Sequence, residues 1–381
     1  MVTQSFADAI AEAEKIIAEA PHATSEADLA EGYQYLAGSI EASLRLAWAY
    51  DPDFPQFLSS TGPHAKMGLD NPDTLYFHAN LRDNANYVIS GRRGSTADLN
   101  FQILNGDYTP VQVPDSVTAF DDRELQIAPD GDFEFRLVPP PGSAMLVVRE
   151  VYSDWARERR GTIRIRRDDT AGRAPRAVNG TEGAARRYEI AGKILLSRLR
   201  TFLAFPEWFY LGEPANTLTP PRRTPGGLAT QFSSAGHYDL SEDQAMIVTV
   251  PRAGPDVAPY QGIQLGSLWY ISLDYVNHQT SLTADQARAD PDGMLRFVIS
   301  ERDPGIANWL ETTGHRRGYV QLRWQRLSRD LTSADGPAAE IVPVAEIPAR
   351  LPFYDQARET QAEYVARIAA RQAACANRML G

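Results

Sequence analysis

The segment TLYFHANL, residues 74–81, alternates between two kinds of side chain along its whole length. One set of alternate positions is apolar and consists of Leu75, Phe77, Ala79 and Leu81. The other set can form hydrogen bonds and consists of Tyr76, His78 and Asn80. Successive side chains of a β-strand point to opposite faces of its sheet. A period of two therefore predicts a strand with one core face and one polar face.

The same period continues in two groups of segments that are far apart in the chain. The first group lies between residues 73 and 150 and continues with DLNFQIL, DFEFRLV and AMLVVREVY. The second group begins at residue 244 and contains AMIVTVP, GIQLGSLWYISLDY, MLRFVIS and GYVQLRWQRL. Turns rich in Pro, Asp and Gly separate several of these segments. Short alternating strands with such turns are typical of antiparallel sheets.

Helical periodicity occupies the ends of the chain and its middle. Apolar residues recur at helical spacing in 5–49 and 354–379, and 182–205 reads as one long helix. We therefore predict an α+β, β-rich fold: an antiparallel β-sandwich built from both strand groups, with flanking N-terminal, central and C-terminal helices. The predicted parts are a helical segment over 1–50, a composite β-sandwich domain over 51–345 with the inserted helix 182–205, and a C-terminal helix over 346–381.

Composition limits the kinds of partner. The formal net charge is −11, which argues against nucleic acid or an anionic membrane as a main partner. The single cysteine, Cys375, excludes a disulfide framework within the chain. The first 20 residues do not read as a signal peptide, and no segment is apolar over 18 residues. We expect a bacterial cytoplasmic protein that can form a homo-oligomer.

The polar faces of the predicted strands hold the best candidates for a site. Their side chains include aromatic rings, amides and an arginine: Tyr76, His78, Asn80, Asn100, Gln102, Tyr270, Ser272, Asp274, Tyr319, Gln321 and Arg323. A face exposed to water would more often carry Lys, Glu and Thr. The composition indicates a binding surface for a sugar or a phenolic compound. The alternative is that helices cover this face and its polar groups are satisfied there.

Several loops add polar candidates. GLDNPDTLY places Asp70, Asn71 and Asp73 just before a strand, where they could bind a cation, orient a base or cap turns. The turn GRRG carries Arg93, and Asn277 follows the end of another strand.

The motifs of several enzyme classes are missing from the sequence. The six histidines do not occur in pairs at i, i+2 or i, i+4, and HExxH is absent, so we predict no metal. The sequence contains no GxSxG, no P-loop and no GxGxxG between a strand and a helix, so we predict no cofactor. What remains is acid/base chemistry by His, Asp and Tyr with Arg as an anion anchor, or no chemistry at all.

Residues 265–324 resemble the bacterial family catalogued as domain of unknown function 1214. The matching positions include aromatic residues and turn residues at their family spacing: Trp269, Ser272, Tyr275, Asp292, Gly293, Asn308, Trp309, Arg323 and Trp324. DNPDTLYFHANL followed by GRRG resembles the upstream β segment of the same proteins. The resemblance implies a jelly-roll-like fold, and members of the family look like catabolic or accessory proteins of bacteria that degrade hydrophobic compounds.

These observations lead to one favoured function and two alternatives. The favoured function is a cofactor-independent lyase or hydrolase that acts by acid/base chemistry on a small aromatic or hydrophobic organic compound. His78, Asp274 and Tyr76 are the predicted catalytic residues. The predicted substrate-binding residues are Arg323, Tyr270, Trp269, Asn80, Arg93, Tyr319 and Asn277. The alternatives are a carbohydrate-processing or carbohydrate-binding sandwich with an open groove, and a non-catalytic interaction protein that exposes apolar stripes on its terminal helices.

Overall fold

A computed structural model describes residues 1–106, 114–174, 180–224 and 227–380, and statements about the described part of the chain refer to these residues. Its α-helices are α1 (Gln4–Ala18), α2 (Glu26–Ala49), α3 (Thr181–Phe209), α4 (Ile347–Arg350), α5 (Tyr354–Ala357) and α6 (Gln361–Leu380). Its strands are β1 (Thr74–Asn80), β2 (Tyr87–Arg92), β3 (Asp98–Leu104), β4 (Ser116–Asp121), β5 (Asp132–Leu137), β6 (Met145–Val151), β7 (Thr162–Arg167), β8 (Arg222–Arg223), β9 (Phe232–Asp239), β10 (Gln244–Pro251), β11 (Tyr260–Gly266), β12 (Ser281–Thr283), β13 (Met294–Ser300), β14 (Trp309–Glu311), β15 (Arg317–Gln325) and β16 (Ala338–Pro343).

Strands β1 to β7 form the N-terminal β unit, which has two antiparallel sheets in the orders β1-β6-β3-β4 and β5-β2-β7. Both sheets contribute to one apolar core, in which Ile89 of β2 packs with Phe101 of β3 and Leu146 of β6. The opposite face of β1 is polar. Tyr76 of β1 lies directly opposite Arg149 of β6, and residues opposite one another share a face.

Strands β8 to β16 form the C-terminal β unit, whose two sheets have the orders β14-β13-β10-β16 and β12-β11-β15-β9-β8. All of its strand pairs are antiparallel except β13 with β14. The core between its sheets contains Val248, Phe297 and Leu322. Because side chains alternate along a strand, the neighbours of Leu322, which are Gln321 and Arg323, point to the other face of β15.

The helices α1, α2 and α3 pack together, and Trp269 from the C-terminal β unit completes their core. The indole Nε1 of Trp269 donates a hydrogen bond to the carbonyl of Asp28 in α2, at 2.9 Å. Gly32 makes this approach possible, because a Cβ there would lie 2.8 Å from Trp269 Cη2 and 2.9 Å from Ile17 Cγ2. The loop that carries Trp269 is therefore held against α2.

Gly32→Ala is expected to destabilise the protein by about 1–3 kcal/mol, because the added methyl group must displace the Trp269 ring from a packed core. An ordinary Gly→Ala change inside a helix stabilises it by about 1 kcal/mol, so the expected sign is the reverse of the helix propensity. Urea denaturation of both proteins measures the difference. An increase in stability would show that α2 and the Trp269 loop do not pack as described.

Helix α6 joins the two β units through buried arginines. Arg378 donates a hydrogen bond to the carbonyl of Pro72 at 2.6 Å, and Arg371 donates to backbone carbonyls of Tyr275 and Ser281. Both guanidinium groups lie over the ring of Trp155, at 4.1 and 4.2 Å from its centroid. The C-terminal helix is therefore an integral part of the structure.

The predicted α+β, β-rich class with mostly antiparallel sheets is confirmed. The sequence predicts a single composite sandwich, whereas each sheet of the described part takes its strands either from β1 to β7 or from β8 to β16. The two β units face each other across a cavity, and side-chain hydrogen bonds such as that between Tyr260 and Asp73 join them. Within the described ranges, no helix has the length and apolar character to cross a membrane.

Candidate functional site

A cavity of about 110 Å³ lies between the two β units. The polar face of β1 and β6 forms one wall, and the polar face of β15 forms another. Helix α3, the loop around residues 61–70, Thr224 and the segment 227–231 contribute further lining residues. Most of the lining residues are buried. The cavity therefore lies where the polar strand faces meet, and we call it the central cavity.

Arg198 reaches the central cavity from α3. The buried face of this helix carries residues at helical spacing: Ala191, Leu195, Phe202 and Phe205. Arg198 falls on the same face and is only 6% exposed. Its Nε has no hydrogen-bond partner, and its guanidinium forms no ion pair within the described ranges. A buried cation in this state is costly unless a further group compensates it.

Arg323 enters the central cavity from β15 and is also buried. Its guanidinium donates to the carbonyl of Leu69 at 2.6 Å and to Gln321 Oε1 at 2.7 Å. It also donates to Gln264 Oε1. All three acceptors are neutral, so they orient the guanidinium and leave its charge uncompensated.

His78 faces the same cavity from β1 and is 8% exposed. Burial is the largest cause that lowers the pKa of its imidazole, and together with the positive charges of Arg198 and Arg149 it brings the pKa to about 3. The imidazole is therefore neutral near pH 7. Its Nδ1 has no hydrogen-bond partner within the described part of the chain.

Further polar atoms of the cavity lining have no hydrogen-bond partner in the part of the chain that the structure describes. They are Thr61 Oγ1, Thr74 Oγ1 and Gln325 Oε1, and all three residues line the central cavity. Buried polar groups in folded proteins are almost always hydrogen-bonded to protein, water or ligand. A concentration of such atoms around one cavity indicates a place built to bind something polar.

Asp70 is the acidic residue of the described cavity lining. Its carboxylate accepts hydrogen bonds from the backbone N–H and the hydroxyl of Ser272, at 3.1 and 2.9 Å. Burial raises its pKa, and the charge of Lys66 opposes that rise more strongly than the charge of Arg323 does. Asp70 is thus engaged mainly with Ser272 and Lys66.

An aromatic cluster closes one end of the central cavity. Phe202 and Phe205 of α3 pack there with Tyr210 and Tyr270, and the two tyrosine hydroxyls are 3.0 Å apart. Tyr270 has a left-handed backbone with φ of 58°, a conformation that costs a residue with a Cβ about 1–3 kcal/mol. Leu69, whose φ is 49°, donates its N–H to the carbonyl of Tyr270 at 2.6 Å. This strained pair holds the Tyr270 ring against the cavity.

Four of the ten predicted site residues line the central cavity: Tyr76, His78, Tyr270 and Arg323. Tyr76 accepts a hydrogen bond from the N–H of Asn71 at 3.0 Å, and burial raises the pKa of its phenol. It therefore keeps its proton near neutral pH and can donate a hydrogen bond into the cavity.

The predicted base Asp274 does not reach the central cavity. Its carboxylate caps a turn by accepting from the N–H groups of Val276 and Asn277, at 2.9 and 3.1 Å. The side-chain amide of Asn277 donates to the same carboxylate at 2.8 Å. Burial would raise the pKa of Asp274, but these hydrogen bonds outweigh it and lower the pKa. Both residues line a surface groove between α2 and α6 instead.

Two predicted aromatic residues lie behind the cavity wall. Trp269 is buried against α2, as described above. Tyr319 is buried behind Tyr270, with their ring centroids 5.5 Å apart. They support the wall and do not line it.

The remaining two predicted residues lie away from the central cavity. Asn80, at the end of β1, lies outside its lining. Arg93 forms an ion pair with Asp122 at 2.7 Å and donates to Thr96 Oγ1 at 2.8 Å. Arg93 thus stabilises loops of the N-terminal β unit.

Arg198 and Arg149 were not among the predicted site residues. A helical projection of 191–205 carries a signal for Arg198, because an arginine interrupts an otherwise apolar stripe. Arg149 stands in AMLVVREVY at a polar position of a strand, and its guanidinium donates to Gln102 Oε1 at 2.8 Å. Within the described ranges there is no group of three or more His, Cys, Asp or Glu side chains that could hold a metal ion.

The chain is similar in structure to an uncharacterised protein from Burkholderia cenocepacia, with 25% sequence identity and a TM-score of 0.79. That similarity covers 91% of this chain and 98% of the other. A protein from Vibrio parahaemolyticus aligns over 82% of this chain and 97% of its own, with 12% identity and a TM-score of 0.43. An oxalate decarboxylase from Bacillus subtilis aligns over 76% and 80%, with 9% identity and a TM-score of 0.18, too low to indicate a shared fold. No protein-family model matches the sequence, and no curated protein is similar to it.

Proposed function

We propose that the chain is a cofactor-independent enzyme that holds a small organic molecule in the central cavity and acts on it by acid/base chemistry. One observation carries the proposal: the neutral imidazole of His78 lines a largely buried cavity together with Tyr76, and its Nδ1 has no hydrogen-bond partner within the described ranges. A neutral imidazole can accept a proton, and a protonated phenol can donate a hydrogen bond to a substrate oxygen.

In this proposal His78 accepts a proton from the substrate and Tyr76 stabilises the oxygen at which negative charge develops. The cavity of about 110 Å³ leaves little space for a water molecule beside a bound substrate. A lyase reaction, which needs no second reactant, therefore suits the site better than hydrolysis. Desolvation keeps the His78 pKa low before a ligand binds, and bound negative charge beside Arg198 would raise it towards a useful range.

The geometry favours this proposal over the two alternatives. A sugar-binding sandwich needs an open groove, whereas the polar strand faces here meet across a small cavity. An interaction protein needs exposed apolar stripes, whereas the stripe of α1, which includes Phe6, Ala13 and Ile17, is buried against α3.

The same proposal extends to the fold, the family and the cellular setting. In each β unit the two sheets share one apolar core, which supports its interpretation as a sandwich with jelly-roll-like character. Membership of the family of domain of unknown function 1214 rests on the sequence resemblance around residues 265–324. A bacterial cytoplasmic setting, with a small molecule as partner, agrees with the net charge and the single cysteine.

His78→Gln is expected to reduce turnover by roughly 100-fold or more, since the variant keeps a polar side chain but cannot take up a proton. Proton NMR of small hydroxy acids, keto acids and phenols incubated with the protein would follow product formation. His64→Gln is the matched control, because His64 is exposed and lies outside the central cavity. A loss of no more than about twofold in His78→Gln would remove His78 from the mechanism.

A further inference from the structure

We infer that the substrate is a small organic monocarboxylate, whose carboxylate group binds Arg198 and whose apolar part lies against Phe202 and Phe205. This inference rests on the proposed function, since it concerns the same cavity. It adds the chemical class of the ligand and its orientation in the site.

The lining of the central cavity carries positive charge that no carboxylate of the described ranges neutralises. Arg198 and Arg323 are both buried in its lining, and neither forms an ion pair with a carboxylate within the described ranges. Asp70, the acidic residue of that lining, is engaged with Ser272 and is influenced more by Lys66 than by Arg323. The cavity therefore has a positive potential that a bound anion would neutralise.

Several hydrogen-bond donors in the cavity lining lack acceptors, which gives a second reason to expect a carboxylate. Arg198 Nε is a donor that cannot act as an acceptor, and it is buried without a partner among the described residues. The hydroxyl groups of Thr61 and Thr74 line the same cavity, can donate, and likewise have no partner among those residues. A carboxylate is an acceptor with two oxygens, and its planar shape matches the paired N–H groups of a guanidinium. The unsatisfied donors of the lining thus complement a carboxylate, whereas His78 Nδ1 and Gln325 Oε1 are acceptors that a carboxylate does not satisfy.

Size and apolar surface restrict the ligand further. An engineered cavity of about 150 Å³ in another protein holds one benzene molecule, which has six non-hydrogen atoms, so a cavity of about 110 Å³ holds at most roughly six. The side chains of Val147, Phe202, Phe205 and Leu228 give the lining an apolar portion. A second carboxylate would face this apolar portion and lose its hydration, which disfavours dicarboxylates. Butanoate has the required size, charge and apolar part.

The test compares butanoate with butanamide, which has the same heavy-atom skeleton but no charge, and with inorganic phosphate. Isothermal titration calorimetry and thermal shift on the full chain are the measurements. We expect butanoate to bind at least roughly 10-fold more tightly than butanamide and to raise Tm, because it binds the folded state. Phosphate is expected to bind more weakly than butanoate, since it cannot use the apolar surface.

Two substitutions in α3 test whether butanoate binds in the central cavity. Arg198→Met is expected to weaken butanoate binding by roughly 100-fold and to leave butanamide binding within about twofold. Arg200→Met is the matched control, because Arg200 lies on the same helix but is half-exposed and pairs with Glu12 at the surface.

The outcomes separate this inference from the proposed function. Equal affinity for butanoate and butanamide, both lost when Phe202 is replaced by Trp to fill the cavity, would overturn the carboxylate class and leave the proposed function standing. Binding of phosphate alone would overturn the organic ligand. Butanoate binding that Arg198→Met does not change would overturn the assigned site. If no compound in the panel binds and none of the proposed substrates is turned over, both proposals fail.

Discussion

Arg198→Met is expected to raise the free energy of unfolding by about 1–3 kcal/mol, although it changes a buried side chain. Arg198 is only 6% exposed, and within the described part of the chain its Nε has no hydrogen-bond partner and no carboxylate pairs with its guanidinium. Folding the unliganded chain therefore removes a charge from water without full compensation, which costs free energy. Methionine has a similar length and no charge, so it removes that cost while keeping most of the packing. Urea denaturation without ligand measures the effect.

Arg371→Met provides the contrast that makes this result informative. Arg371 is also buried, but it donates to the carbonyls of Tyr275 and Ser281 and to the Ser281 hydroxyl, and it lies over the Trp155 ring. Its replacement leaves these acceptors buried and unsatisfied, so we expect a loss of about 3 kcal/mol. Equal destabilisation by the two changes would show that Arg198 serves the structure and has no role in binding an anion.

Asp73→Ala is expected to destabilise the protein by about 3–5 kcal/mol, the largest effect on stability that we predict. The carboxyl group accepts hydrogen bonds from Trp155 Nε1 at 2.8 Å and from the Tyr260 hydroxyl at 2.7 Å. All three residues are buried, and Tyr260 belongs to the C-terminal β unit whereas Asp73 immediately precedes β1. Alanine leaves both donors without an acceptor and opens a gap between the two β units.

Asp330→Ala is the control, because it removes a carboxylate that lies on the surface instead of between the two β units. Asp330 pairs with Arg223 at 2.8 Å on the surface, and exposed ion pairs contribute only about 0–1 kcal/mol. Chemical denaturation of the three proteins under the same conditions gives the comparison. A loss below about 1 kcal/mol in Asp73→Ala would mean that the two β units are not held together through this carboxyl group.

Alternation along single strands made part of the site predictable. The period of two in 74–81 puts Tyr76 and His78 on one face, and the same period in β15 puts Gln321 and Arg323 on one face. Such faces follow from local geometry, because every second side chain of a strand points the same way. These residues line the central cavity.

The rest of the site depends on contacts between distant segments. Nothing in the local sequence states that α3 crosses the polar strand faces, so Arg198 could be noticed as an interruption of an apolar stripe but not assigned to a cavity. Asp274 stands near Tyr270 in the sequence and shares its polar character. The carboxylate of Asp274 nevertheless caps the turn that follows it, through the N–H groups of Val276 and Asn277. Asp70 could equally have capped a turn, and only its tertiary contact with Ser272 distinguishes the two roles.

The arrangement of the strands into sheets also depends on contacts between distant segments, so the sequence pattern could not predict it. Alternating patterns identify strands and their faces, but they do not determine which strands share a sheet. Both strand groups have one apolar and one polar face, which is compatible with one composite sandwich or with two units. The structure pairs the apolar faces within each group and brings the polar faces together across the cavity. The polar strand faces are therefore inside the protein, where they line the central cavity and do not belong to an apolar core.

The most direct test of the central claim is a crystal structure of the full chain grown with butanoate. We expect electron density for butanoate in the central cavity, with its carboxylate oxygens within hydrogen-bond distance of Arg198 and its alkyl chain against Phe202. Butanoate bound only in the surface groove between α2 and α6, or a central cavity that contains water alone at a saturating concentration, would contradict the claim that this cavity is the site.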